Sequence, residues 1–116
     1  MGIGTPNIAN WDVPENWKGI YFAGVVETYK HYEAEMKAQA DLIVLVSHSG
    51  IDGDPENSDF IRELVSTTNS IDLVFSGHEH RNGVTKIANT DGKEIPVISP
   101  GTKAGVVGRA LFTYNK

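Results

Sequence analysis

The sequence predicts an α/β fold, on three observations. Leu42-Ile43-Val44-Leu45-Val46, a continuous apolar run, and Ile71-Asp72-Leu73-Val74-Phe75, apolar but for Asp72, read as strands, the first apolar enough to be buried on both faces. A helix-like stretch separates them, and strand, helix, strand within about 35 residues is a βαβ unit whose strands run parallel. Beyond residue 80 the chain changes to short strands and turns.

Taken in order, residues 5–19 mix Pro6, Trp11, Pro14 and Trp17 with Asn, Asp and Gly, which predicts an ordered loop anchored by its aromatics rather than regular helix. Ile20-Tyr21-Phe22 reads as a short strand. Residues 26–40 predict a helix, because Tyr29, Tyr32, Met36 and Ala40 recur at steps of three and four and form one apolar stripe, with Lys30, Glu33, Glu35 and Lys37 largely off it. The strand at 42–46 follows. A polar loop over 54–58 leads to a helix over 59–67, with Ser58 as its N-cap and Phe60, Ile61, Leu64 and Val65 on its buried side. The strand at 71–75 closes the βαβ unit. Residues 84–88, 95–99 and 110–114 predict further strands, and Asn89-Thr90-Asp91-Gly92-Lys93 supplies hairpin chemistry between the first two.

A chain of 116 residues suits one domain, taken as residues 1–116, with a modest core. At 40% hydrophobic and 22% charged, its composition is that of an ordinary globular protein. The net charge of -5 and the lack of a Lys/Arg block argue against binding polymeric nucleic acid. A small phosphorylated substrate stays open, since a bound metal supplies positive charge locally. Without cysteine there is no disulfide and no thiolate metal site. No apolar run approaches the ~20 residues that span a bilayer. The opening Met1-Gly2-Ile3-Gly4-Thr5-Pro6 has neither a basic nor an apolar leader segment and reads as a boundary inside a longer chain.

Three of the four histidines stand just beyond the two predicted parallel strands: His48 after the first, His78 and His80 after the second. Ligands of open α/β sheets bind outside the carboxyl ends of the strands, so topology alone brings both motifs to one edge. Gly77 permits a tight exit from the strand or an unusual φ. A His-any-His pair in extended backbone sends both imidazoles to one side. Rings so placed reach two metals ~3.5–4 Å apart, the spacing of dinuclear phosphatases and nucleases. Imidazole suits zinc, manganese and iron alike. One strand-end histidine alone is more often a hydrogen-bonded surface residue; it is the conjunction of two motifs after adjacent strands that favours ligation. His31, on the polar part of a helix, reads as solvated.

Ser47-His48-Ser49-Gly50 and Gly77-His78-Glu79-His80 resemble the last two metal motifs of the calcineurin-like metallophosphoesterases. Thr5-Pro6-Asn7-Ile8, the Trp-rich loop, Ala40-Asp41-Leu42-Ile43-Val44 and Ile98-Ser99-Pro100-Gly101 are similar to the bacterial 5′-nucleotidase/2′,3′-cyclic-nucleotide 2′-phosphodiesterase branch, so the likeness runs along nearly the whole chain. The resemblance implies part of a metallophosphoesterase α/β sandwich, with His48 and His78 on one divalent ion and His80 on a second. Glu79 is a candidate partner behind the ligands but reads equally as a solvated residue, and its role is not part of the resemblance. The resemblance implies a nucleotide or cyclic-nucleotide substrate and an extracellular, cell-surface or periplasmic location. The family's earlier motifs (Asp-any-His, Gly-Asp, and Gly-Asn-His followed by an acid) do not occur. They carry the bridging carboxylate and further ligands, so the chain reads as the C-terminal half of a catalytic domain. The expectation is weak metal binding, little or no turnover, and self-association through exposed apolar surface and an open sheet edge.

Other patterns are weaker. Asp52-Gly53-Asp54-Pro55-Glu56-Asn57 has Asn57 where a calcium loop needs Gly, and reads as a solvated loop bordering the site. Ser47 and Ser49 lack a nucleophile elbow. Gly101, Gly105 and Gly108 do not open a helix after a strand and read as turns beside the metal edge. The rival reading is a non-catalytic α/β interaction module with structural histidines. An amidohydrolase also uses His-any-His, but early in a barrel of ~250 residues, which length and order oppose.

Overall fold

The computed structural model describes residues 1–52, 60–113 and 115. The predicted α/β architecture is present. Its elements are β1 (Gly2–Gly4), α1 (Ile8–Trp11), α2 (Pro14–Trp17), α3 (Val25–Gln39), β2 (Val44–His48), α4 (Ile61–Ser66), β3 (Leu73–Ser76), β4 (Asn82–Ala88) and β5 (Glu94–Pro100). One five-stranded sheet has the order β1-β2-β3-β5-β4. β1, β2, β3 and β5 run parallel; β4 returns antiparallel beside β5 through the predicted hairpin. Asn89 closes that turn by accepting bonds from the Asp91 and Lys93 amides through its side-chain oxygen, 2.9 Å each.

The helices α3 and α4 cover one face. Val25 and Tyr29 from α3, and Ile61, Leu64 and Val65 from α4, pack on Leu45, Val74, Ile95 and Val97 of the sheet. Tyr29 is fully buried, and its hydroxyl pairs with Ser70 Oγ at 2.8 Å. Ser70 Oγ in turn donates to Glu33 at 2.7 Å, and Thr68 donates to the same carboxylate oxygen. Burial pushes the Glu33 carboxyl up, but the Thr68 and Ser70 hydrogen bonds and the Lys30 charge outweigh it and hold it below its ordinary value. This network pins α3 to the loop before β3.

Several expectations are corrected. Residues 5–19, expected as an ordered loop without regular helix, contain two one-turn helices; Pro14 sits in the first turn of α2, where its missing N–H is no loss, after an extended Val13. Ile20-Tyr21-Phe22 is not a strand, and Ile20 and Tyr21 are exposed. β1 lies in a Gly-Ile-Gly segment whose propensity does not suggest a strand; pairing with β2 makes it one. Residues 110–113 form no strand, and Tyr114 lies outside the described residues. Ser58 also lies outside them; the helix begins after Phe60 without a side-chain cap of its own. The loop after β2 does the capping instead: the Phe60 amide donates to Ser49 Oγ, and the next two amides to the Gly50 and Ile51 carbonyls, all at 3.1 Å. Finally, β2 is not buried on both faces, for Val46 is 57% exposed beside a fully buried Leu45.

Candidate metal centre

The carboxyl ends of the four parallel strands meet at one edge of the sheet. His48 is the last residue of β2, two positions later than the apolar run suggests, and pairs with Gly4 at the end of β1. The Thr5 amide donates to the His48 carbonyl at 3.0 Å, holding the β1 exit against that histidine. Beside it, the Gly77 amide donates to the Ser47 carbonyl at 2.9 Å, so the chain leaving β3 stays tied to β2. A Cβ on Gly77 would stand 3.4 Å from His48 Nδ1, which gives that ring a close but unobstructed neighbour.

The 77–80 segment does not run extended. His78 and His80 adopt φ of 79° and 56°, the left-handed region, while Gly77 does not. A non-glycine residue held there costs roughly 1–3 kcal/mol and persists only when its surroundings impose it. The turn separates what an extended pair would align. His78 meets His48 edge to face, with ring centroids 5.3 Å apart and planes at 72°. His80 is exposed, and among the described residues no group of three or more His, Cys, Asp or Glu could hold a metal. The predicted trio is therefore brought together as a pair. Two imidazoles sharing one tetrahedral ion with metal–nitrogen lengths of ~2.0–2.1 Å have ring centroids on the order of 5 Å apart. The 5.3 Å between the His48 and His78 centroids is of that size, while among the described residues no third ligand joins them.

Polar groups are also buried at these strand ends, on the helix side of the sheet. Ser47, Ser76 and Ser99, at the ends of β2, β3 and β5, are all buried, and Ser76 donates to the Ser49 carbonyl at 2.8 Å. Among the described residues, Ser47 Oγ, Ser99 Oγ and Glu79 Oε2 are buried without a hydrogen-bond partner. Arg62 grips Asp52 with both Nε and Nη2; this hydrogen bond holds the Asp52 carboxyl below its ordinary range, with the charge of Arg81 adding to it. The same bond raises Arg62, with the charge of Glu79 contributing. Asp52 is the first residue of the calcium-like sequence; the residues after it lie outside the described set. Gly101 turns the chain after β5 at φ 79°, as expected of a turn glycine. His31 is exposed on α3, its ring edge-on to Tyr32. A cleft of about 410 Å³ lined by Lys30, Glu33, Lys37, Thr68 and Asn69 lies away from the histidines.

One site residue was not legible beforehand. Trp11, which the sequence suggests only as a loop anchor, stacks on His78 with centroids 5.1 Å apart and planes at 23°. No periodicity or spacing links positions so far apart; the contact exists because β1 and β3 end at the same edge.

No family model matches the chain. Over 99% of its length it is 29% identical to a 2′,3′-cyclic-nucleotide 2′-phosphodiesterase/3′-nucleotidase of Yersinia enterocolitica, and over 69% it is 30% identical to the enzyme of that name from Salmonella typhimurium. It spans only 20% and 13% of those two proteins. Among solved structures it is similar to one described as a 5′-nucleotidase of Staphylococcus aureus (28% identity, 88% of this chain and 21% of that one, TM-score 0.73). It is equally similar to a calcineurin-like phosphoesterase of Bacillus subtilis (29%, 88% of this chain and 34% of that one, TM-score 0.70). Calcineurin-like phosphoesterases generally use divalent metals, in keeping with a histidine pair at the strand ends. The sheet and these relatives agree in one likeness: the chain is similar to the calcineurin-like phosphoesterases, and that family fits it.

Proposed function

We propose that this chain is the C-terminal part of the catalytic domain of a metal-dependent phosphoesterase that hydrolyses nucleotides or 2′,3′-cyclic nucleotides. The observation that carries the reading is the His48–His78 ring pair at the ends of adjacent parallel strands. In it, His48 and His78 are neutral imidazole ligands of one divalent ion, and His80 serves a second; zinc, manganese and iron all suit such donors. When bound, two ions polarise a phosphoryl oxygen and lower the pKa of a water. The chain's own part is positional. β2 and β3 bring the two residues to one edge of the sheet, and the Thr5 amide, bonded to the His48 carbonyl, ties the β1 exit to the backbone of one of them. Glu79 is a candidate partner of the ligands, its Oε2 being buried with no hydrogen-bond partner among the described residues.

The reading takes residues 1–116 as one partial domain, because the family's earlier motifs do not occur in the sequence and, among the described residues, no third ligand joins the pair. The isolated chain then binds metal weakly and turns over little or nothing. The exposed sheet face around Val46 and Val84 favours self-association of the isolated chain, and a monomer at every concentration counts against that part. No described helix is long and apolar enough to cross a membrane. An extracellular, cell-surface or periplasmic location rests on family resemblance.

A calorimetric titration with zinc and manganese tests the assignment, with His78→Ala alongside. One weak, His78-dependent ion per chain is expected. Unchanged metal uptake in His78→Ala, or unchanged metal content and turnover in a longer protein carrying it, would sink it. The rival is an interaction module with structural histidines, and no metal uptake at all is the result that reading requires.

A further inference from the structure

Trp11 ends α1, the one-turn helix that follows β1, and its indole lies nearly parallel to the His78 ring, with centroids 5.1 Å apart. His48 meets the same ring edge-on at 5.3 Å. His78 is thus bracketed by an indole and the other imidazole of the pair, on a backbone at φ 79° that its own preferences do not hold.

Core packing does not account for the tryptophan. Trp11 is 47% exposed and stands outside the buried cluster under α3 and α4. The segment carrying it is nevertheless firmly tied. Thr5, itself buried, donates its amide to the His48 carbonyl and receives the Asn7 amide on Oγ1 at 3.3 Å. Beyond Trp11, Asp12 Oδ1 accepts from the Val13 amide at 2.8 Å and from Asn16 at 2.7 Å, and the Asp12 carbonyl accepts from the Trp17 indole at 3.3 Å. A half-exposed aromatic on so well tied a support orients the ring it touches.

We infer that Trp11 is a positioning residue for the metal centre: its indole face holds the His78 ring beside His48, in the orientation from which both imidazoles can serve one divalent ion. This rests on the reading of His78 as a ligand, and groups behind a ligand commonly set its affinity.

The test uses the purified chain as it is. Two-dimensional NMR of the imidazole protons reads the contact without metal: stacked on an indole, the His78 ring protons are shifted upfield. Trp11→Ala should abolish that shift and the ring-to-ring cross-peak with His48, and Trp11→Phe should retain part of both. In zinc titrations, Trp11→Ala should weaken the His78-dependent site about tenfold, with Trp11→Phe restoring most of the affinity. Trp17→Phe, in the same segment, should leave both readouts in place. An unchanged urea midpoint in Trp11→Ala separates lost orientation from lost folding.

Imidazole shifts and cross-peaks that persist in Trp11→Ala overturn the proposal, as does unchanged zinc affinity where His78→Ala lowers it. If wild type and His78→Ala take up zinc equally, or neither does, the reading of His78 as a ligand fails. The imidazole resonances then decide alone whether Trp11 fixes the ring.

Discussion

The two faces of the sheet are built from the same kinds of residue and end in opposite environments. Leu45, Val74 and Val97 are fully buried beneath α3 and α4, while Val46 and Val84 on the other face are 57% and 64% exposed. Only part of that second face is covered: the chain near Gly108 approaches Phe75 and Ile98. An apolar run specifies a strand through local preference, but it does not specify what lies on the strand's second side. The difference bears on the site. By the two-residue alternation of β2, His48 shares the exposed side with Val46, whereas Ser47 turns with Leu45 toward the helices. The histidine offered for ligation emerges on the less packed face, where holding it accessible costs little core.

The largest expected effect tests that asymmetry directly. Leu45→Ala should lower unfolding free energy by ~2–5 kcal/mol, since it opens a cavity in a closed core, while its neighbour Val46→Ala should move it by no more than about 0.5 kcal/mol. Urea denaturation of the two variants measures both, and equal losses would mean the second face is covered in solution.

A smaller loss is expected where the open face is touched. A Cβ at Gly108 would come within 2.7 Å of Ile98 Cγ2, so Gly108→Ala must displace the segment or the side chain. The cost should be about 1–3 kcal/mol, as for other overpacking changes. A variant as stable as wild type would show that the segment does not rest on the face.

The smallest effect belongs to the polar edge of the covered side. Glu33 has a folded-state pKa below its ordinary value of 4.5. Its contribution is therefore fully present above the unfolded pKa and is lost as pH falls through the depressed folded value. Stability measured from pH 6 downward should decline less steeply in Glu33→Gln than in wild type. Parallel curves would show that the Thr68–Ser70–Glu33 network does not hold α3 in solution.

Much of the fold was legible because the signals were local. The helix predicted at 26–40 is α3 at Val25–Gln39, and the two apolar runs are the adjacent parallel strands β2 and β3. The hairpin follows from the Asn89–Lys93 turn chemistry, which needs no partner elsewhere. The failures share a cause. Gly2–Gly4 is a strand because β2 pairs with it, residues 110–113 have strand-like composition but no ladder, and the α4 cap comes from the loop after β2. In the site, topology correctly delivered His48 and His78 to one edge. It could not foresee the left-handed turn that takes His80 away, since that depends on how residues 77–80 leave β3.

By itself, the sequence determined the α/β class, the parallel strand pair, the edge at which its histidine motifs gather and the family they resemble. These follow from hydrophobic period, turn residues and strand order, which act over short stretches of chain. The tertiary structure alone decided that one sheet face stays open, that His48 and His78 pair while His80 stands apart, and that Trp11 lies against His78. Each of those depends on groups distant in the chain sharing a volume or a hydrogen bond, and no local pattern encodes such a meeting.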